Sequence, residues 1–195
     1  MQLPLIAIPV KPFGVAKRRL SPVLDAKRRS VLGREVAART MAAARATGAP
    51  VAVVTADAGV KTWARSQGVG VITDPGQGLS AAARAAVAAA GSRPWVILHA
   101  DLPLIAPGDL ELVIAGLKDA GSMIAPSYNG GTSVLAGRGA FPFRYGPASF
   151  RRHLAMARPS PVVVVRVGLA IDLDGPSDLA IASRHPRGVW LADFL

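Results

Sequence analysis

Short apolar runs alternate along this chain with longer stretches in which apolar residues recur every three or four positions. The first pattern marks buried strands and the second amphipathic helices. Leu3–Val10 reads as a first strand and Lys11–Pro22 as a basic loop broken by Gly14 and two prolines. Apolar residues take helical spacing from Asp25 to Thr47, where Gly48 supplies a stop. Val51–Thr55 follows as a strand, Asp57 caps a helix ending near Gly68, and Val69–Thr73 is a third strand. Gly76-Gln77-Gly78 opens an alanine-rich helix, and Pro94–Leu98 makes a fourth strand. Beyond it the pattern predicts a helix from Pro107 to Leu117, strands at Met123–Pro126 and Thr132–Ala136, and a short helix at Ser149–Ala157. Val162–Val165 is a β-branched run, and Pro176–Arg184 reads as a last helix with proline in its first turn.

Strands alternating with helices predict an α/β fold with a mostly parallel central sheet, helices on both faces and a small antiparallel excursion near Thr132–Ala136. No linker, repeat or low-complexity segment interrupts the pattern, so residues 1–195 are expected to form a single domain.

Composition narrows the chemistry. The chain has no cysteine, which removes disulfides, thiolate metal sites and a cysteine nucleophile. His99, His153 and His185 are scattered without H-x-x-x-H spacing, so a histidine zinc site is not expected. Met1–Val10 is apolar but lacks a basic lead, and no apolar run approaches the roughly 20 residues that span a bilayer. A soluble, cytoplasmic protein without a membrane partner is the expectation. Lysine and arginine number 23 against 12 acidic residues, a formal charge of +11. Such an excess suits anionic partners, although part of it also reads as solvated surface. Aromatics are only 5% of the chain and no base-stacking motif occurs, so a nucleic-acid partner is not expected. The oligomeric state is left open, a homodimer being one option.

Ligands of open α/β sheets bind beyond the carboxyl ends of the strands. After the first strand comes Lys11 followed by Lys17-Arg18-Arg19, and cations on a flexible turn at Gly14 can cradle a triphosphate, though no Walker A sequence is present. Asp101 follows the fourth strand and is the leading candidate for magnesium, which takes hard oxygen ligands, often one or two carboxylates plus substrate phosphates. Asp172 and Asp174 flank Leu173 on an extended segment and are expected on opposite faces, so that one of the two joins Asp101. Gly76-x-Gly78-x-x-Ala81 matches a dinucleotide fingerprint, which keeps a nicotinamide-dependent oxidoreductase among the alternatives. It follows the third strand rather than the first, however, and leaves the basic loop unexplained. Tyr145–His153 places a turn before a helix start with Arg151, Arg152 and His153 nearby, a setting that could hold a phosphate or carboxylate.

Taken in order, these segments resemble the 2-phospho-L-lactate and phosphoenolpyruvate guanylyltransferases of deazaflavin coenzyme biosynthesis, within the molybdenum-cofactor guanylyltransferase-like superfamily. The resemblance runs over nearly the whole chain. It is carried by Ile8-Pro9-Val10-Lys11 with Ala16-Lys17-Arg18-Arg19-Leu20, Asp74-Pro75-Gly76-Gln77-Gly78-Leu79, Ala100-Asp101-Leu102-Pro103, Gly131-Thr132, Gly146-Pro147-x-Ser149-Phe150 and Asp172-Leu173-Asp174-x-Pro176. It implies a Rossmann-like fold of the nucleotide-diphospho-sugar transferase type and GTP as co-substrate. Lys11, Lys17 and Arg19 would serve the triphosphate, and Gly76, Gly78, Leu79 and Ser80 the guanine and ribose. Asp101 and one of Asp172 or Asp174 would match the family's magnesium ligands. Asp101, Lys17 and Lys11 would be the catalytic set, and Thr132, Gly146 and Ser149 would hold a small phosphorylated acid. Two positions depart from the family pattern: Ser80 stands where asparagine is common, and Gly175 where threonine is.

The reaction so implied is in-line attack of the acid's phosphate on the α-phosphorus of GTP with release of pyrophosphate. The nucleophile is already an anion, so positioning and charge neutralisation suffice. No Ser-His-Asp or paired-glutamate device is evident in the sequence. Phosphoenolpyruvate is the preferred acceptor on the resemblance, with 2-phospho-L-lactate and 3-phosphoglycerate as alternatives. Transfer to a molybdenum cofactor or a sugar phosphate on the same fold is a further alternative.

Overall fold

A computed structural model describes residues 2–157 and 159–195; Met1, the start of the apolar lead, lies outside them. The strands are β1 (Leu5–Pro9), β2 (Val51–Thr55), β3 (Gly70–Thr73), β4 (Trp95–Leu98), β5 (Ser122–Pro126), β6 (Thr132–Gly137) and β7 (Val162–Val163). The helices are α1 (Ala26–Ala46), α2 (Ala58–Ser66), α3 (Leu79–Ala90), α4 (Pro107–Gly116), α5 (Ser149–Met156), α6 (Val167–Ala170) and α7 (Pro176–Ser183). Short 3-10 turns occupy Phe13–Val15 and Arg18–Leu20, and a longer one closes the chain at Pro186–Phe194.

The strands form one sheet in the order β3-β2-β1-β4-β6-β5-β7. β1 pairs in parallel with β2 and β4, and β2 with β3. β1, β2 and β4 carry nearly continuous apolar runs because both of their faces are covered. On one face Ile6, Ile8, Val53, Val96 and Leu98 pack with Ala37, Met41, Ala44, Val60, Ala64 and Leu110 from α1, α2 and α4. On the other, Ala7, Val54 and Ile97 meet Ala82, Ala83 and Ala86 of α3, and the cluster continues through Trp95 to Phe143. The small residues of α3 let the helix lie close to the sheet, which is how an alanine-rich, aromatic-poor chain reaches interior packing density.

β6 runs antiparallel to both β4 and β5. The expected excursion is therefore a hairpin, with β6 inserted between β4 and β5. A loop of the length of 127–131 can join only antiparallel neighbours, since a parallel return needs a crossover. Gly130 takes the positive φ of 84° that the turn requires, and Ser127 N donates to Gly131 O at 3.1 Å.

The C-terminal third departs furthest from the pattern. The run Val162–Val165 contributes only Val162–Val163 to the sheet, as an edge strand beside β5. α6 is a four-residue element below the reach of periodicity, and Pro176–Arg184 is not the last helical segment, because Pro186–Phe194 winds back over α7. A separate apolar cluster explains the return: Leu20, Leu24, Leu32 and Val36 near the start of the chain pack with Leu104, Leu173, Leu179, Ala182 and Leu191. No helix among the described residues is long and apolar enough to cross a membrane.

Candidate active site

The loops after β1 and β4 and the segment before α7 meet beyond the carboxyl edge of the parallel strands. Lys17 sits in the left-handed region at φ 57° and ψ 34°, one of two non-glycine residues with positive φ among those described. That conformation costs a side-chain-bearing residue roughly 1 kcal/mol or more and is typical of functional loops. It is fixed by Leu20, fully buried three residues on, and by the bond from Leu20 N to Lys17 O at 2.9 Å. The Lys17 ammonium donates to Asp101 Oδ2 at 3.1 Å and lies 4.0 Å from Asp174 Oδ1. Arg19, largely exposed, reaches Asp174 Oδ2 at 3.8 Å. Lys11 is exposed at the mouth of the same region, where its charge is felt at His99.

Asp101 is anchored by buried Leu102 and Leu104, and its carbonyl accepts from Leu173 N at 2.9 Å. That bond ties the loop after β4 to the aspartate pair. The expectation that Asp172 and Asp174 point to opposite faces is wrong: residues i and i+2 of an extended segment share a face. Leu173 takes the buried side and is fully enclosed, which turns both flanking carboxylates towards Asp101. Asn129 holds Asp172 through Nδ2, which donates to both carboxylate oxygens at 3.2 and 2.9 Å. Its own Oδ1 accepts from Ser127 Oγ at 2.7 Å and Gly131 N at 3.0 Å. A Cβ at Gly131 would lie 2.5 Å from Ser127 Oγ, so a side chain there would displace the hydroxyl that bonds Asn129.

The electrostatics record the crowding. Burial raises the Asp172 carboxyl, and the charges of Asp101 and Asp174 raise it further against the Asn129 bond, to about 6. Burial also works against the charged form of Asp101, but the Lys17 ammonium and its hydrogen bond, helped by His99, hold that carboxyl below its usual value. Oδ1 of Asp101 is buried without a hydrogen-bond partner among the described residues. An orphaned carboxylate oxygen beside crowded aspartates is a donor set that fits a hard divalent cation. The described residues do not hold three such ligands in a ready-made cage, and the Lys17 ammonium stands as the cation between Asp101 and Asp174.

Across the sheet edge, Thr132 and Ser149 come together: Ser149 Oγ donates to Thr132 Oγ1 at 3.2 Å, and both residues are buried. His153 completes the group. Arg144 N donates to its Nε2 at 2.9 Å, which makes Nδ1 the protonated nitrogen, 3.0 Å from Thr132 Oγ1. Gly146, at φ 119°, turns the chain just before α5, and Arg152 lies nearest the space above it. Gly76 and Gly78, at φ 79° and 84°, form an exposed turn whose Gly76 N is held by Asp74 Oδ1 at 2.9 Å. Gly78 caps α3 without a side chain, and Leu79 and Ser80 begin the helix. Ser80 Oγ accepts from Tyr145 N at 3.0 Å, so the glycine turn and the Thr132–Ser149 group share a wall. Sequence reasoning places the segments that carry Asn129 and His153 at this edge but gives neither residue a role of its own in the site. Asn129 lies in the loop between β5 and β6, but its bond to Asp172 spans 43 positions, and no spacing rule reaches that far.

Burial lowers the His153 imidazole from 6.5 to about 4. Between those values the unfolded chain takes up a proton that the native state refuses, so the contribution of His153 to stability falls as pH drops from 6.5 towards 4, while above 6.5 the residue contributes no slope. Asp172, raised to about 6, works in the opposite sense below that pH, so the test is the difference between proteins: thermal unfolding of His153→Gln should lose less stability than the wild type from pH 6.5 towards 4, and identical pH profiles would remove His153 as a contributor.

Comparison with known proteins adds to this geometry. A family model described as "Guanylyl transferase CofC like" matches residues 4–195. A phosphoenolpyruvate guanylyltransferase of Rubrobacter xylanophilus is 38% identical over 184 residues, covering 89% of this chain and 90% of the relative. A 3-phospho-D-glycerate guanylyltransferase of Phenylobacterium zucineum is 33% identical, covering 92% and 89%. A 2-phospho-L-lactate guanylyltransferase of Methanothermobacter thermautotrophicus is 30% identical, covering 96% and 87%. Among solved structures, a candidate nucleotide-diphospho-sugar transferase from Desulfovibrio desulfuricans G20 superposes with a TM-score of 0.81 at 17% identity, covering 99% of this chain and 95% of that one. That likeness bears on the fold alone.

Proposed function

The chain belongs to the guanylyl transferase CofC-like family, and from that premise we propose that it moves the GMP unit of GTP onto the phosphate of a small phosphorylated carboxylic acid, with phosphoenolpyruvate as the first acceptor to test. The observation that carries the reading is the convergence of Lys17, Asp101 and Asp174, with Asp172 held alongside by Asn129. Three separate stretches of chain bring cations and carboxylates to one sheet edge, the arrangement phosphoryl chemistry needs.

In this reading Lys11, Lys17 and Arg19 receive the triphosphate, and the Gly76–Ser80 turn receives the guanosine. Thr132, Gly146 and Ser149 hold the acid. A magnesium ion, held by Asp101 with Asp172 or Asp174, would supply charge neutralisation at the α-phosphate. The protein's own work is to hold two anions that repel each other within reaction distance. The acid's phosphate oxygen forms the new bond to the α-phosphorus as the bond to the pyrophosphate oxygen breaks. The nucleophile is already deprotonated, so neither His99 nor His153 needs to act as a base. The buried Thr132–Ser149–His153 group would orient the acid, because its hydroxyls are fixed by bonds to each other and to His153.

The test is incubation of the protein with each ribonucleoside triphosphate, magnesium and a panel of acceptors. Mass identification of a guanylylated phosphoenolpyruvate and stoichiometric pyrophosphate is the expected result. Turnover confined to a sugar phosphate, or equal use of ATP and GTP, would overturn it. The names of the relatives divide among three acids, and the acceptor panel decides among them.

A further inference from the structure

The turn between β5 and β6 touches both halves of the site. On one side Tyr128 N donates to Ala170 O at 2.9 Å, tying the turn to the segment that carries Asp172. On the other, Gly130 O accepts from Phe150 N at 3.3 Å, next to Ser149, and Thr132 follows the turn as the first residue of β6. Asn129 sits between these anchors. It is solvent-exposed, yet both polar atoms of its side chain are engaged. An asparagine in a turn commonly bonds the backbone two residues on, and the bond from Gly131 N to Oδ1 is of that kind. It accounts for the oxygen but not for Nδ2, which reaches across to both Asp172 oxygens. Gly131 N–H can only donate and an ionised carboxylate can only accept, so a flipped amide would lose both partners. Buried Ser127 adds its hydroxyl to the same Oδ1 and holds the amide from behind.

The partners of the three carboxylates differ in kind. Lys17 lies against Asp101 and Asp174, and Arg19 against Asp174. Among the described residues no cation stands within ion-pair distance of Asp172. A neutral amide orients that carboxylate without cancelling its charge, which stays available to a cation from outside the chain. We propose that Asn129 is a positioning residue for guanylyl transfer: it holds Asp172 as a charged, oriented ligand for the divalent ion and keeps the aspartate group in register with the Thr132–Ser149 pocket. The inference rests on the guanylyl-transfer reading above. Hydrogen bonds to a metal's carboxylate ligands carry much of a site's affinity, because they spare the ion the cost of ordering its ligands.

Asn129→Ala should weaken the binding of manganese, titrated alone and followed by the paramagnetic resonance of the free ion, by about tenfold. Turnover should fall by about tenfold to a hundredfold in kcat, with the KM for phosphoenolpyruvate within about threefold of the wild type. In an Asp172→Ala background the same substitution should change manganese binding by less than about twofold, since its target is gone. A residue that only shapes the turn would weaken binding equally in both backgrounds. Thermal melts of the variants establish that they fold. Unchanged manganese affinity in Asn129→Ala, or an equal loss with and without Asp172, overturns the assignment. A wild type that guanylylates no acid at all sinks the parent reading and this inference with it. An active wild type with an unaffected Asn129→Ala sinks this inference alone.

Discussion

Asp101→Asn is expected to lower kcat by about a thousandfold or more while leaving the fold intact, the scale of loss when a group that neutralises transition-state charge is removed. The change keeps the volume of the side chain and the anchorage of its loop by buried Leu102 and Leu104. It replaces the carboxylate that the Lys17 ammonium contacts at 3.1 Å and converts the orphaned Oδ1 into half of a neutral amide. The ammonium keeps Asp174 at 4.0 Å as a counter-charge, and removing a desolvated carboxylate offsets much of the lost attraction, so unfolding should shift little. Steady-state turnover, circular dichroism and GTP binding measured on one preparation separate the possibilities. Activity within tenfold of the wild type would remove Asp101 from the catalytic set.

That expectation could be framed from the sequence because the elements that place Asp101 are local. A continuous apolar run such as Trp95–Leu98 is a buried strand wherever it pairs, and the residues just after it land at the sheet edge. The same logic located Lys17 after β1 and the glycine turn before α3, and Asp57 caps α2 as the sequence predicts, while Asp25, where the helical spacing begins, caps α1. Features set by long-range packing were hidden. Leu173 is buried because Leu20, Leu32 and Leu179 surround it, and only that burial shows which way Asp172 and Asp174 turn. Misjudging the two-residue period of an extended segment put the aspartates on opposite faces; applied correctly, it already places them together. Asn129 and His153 act through partners 43 and 21 positions away, and the sequence carries no signal for either pairing. Asp178 escaped notice for a nearer reason. As N3 of α7 it accepts from the N–H groups of Asp174 and Gly175 and takes the Tyr128 hydroxyl, capping the helix that a glycine begins.

Asp109→Ala should cost about 3 kcal/mol, the lower end for breaking a buried ion pair, because its arginine partners are partly solvated. For a chain of this size that lowers Tm by roughly 6–12 °C. The Asp109 carboxylate is 1% exposed and receives Arg166 Nε at 3.1 Å, Arg187 NH1 at 3.0 Å and the N-cap N–H of Ala106 at 3.0 Å. Arg166 precedes α6 and Arg187 lies in the closing 3-10 turn, so one carboxylate on α4 clamps both ends of the segment that carries Asp172 and Asp174. Gly168 leaves that carboxylate its space, since a side chain there would meet Asp109 and the Leu104 carbonyl. Loss of the clamp should therefore loosen the aspartate pair well below the melting temperature, and turnover should fall together with stability. Asp109→Asn keeps an oxygen for the Ala106 N–H and weakens only the arginine contacts, so it should fall between the alanine variant and the wild type. Differential scanning calorimetry and turnover at 25 °C decide the matter. A Tm within about 2 °C of the wild type for the alanine variant would mean that the apolar cluster of Leu20, Leu173, Leu179 and Leu191 holds the segment unaided.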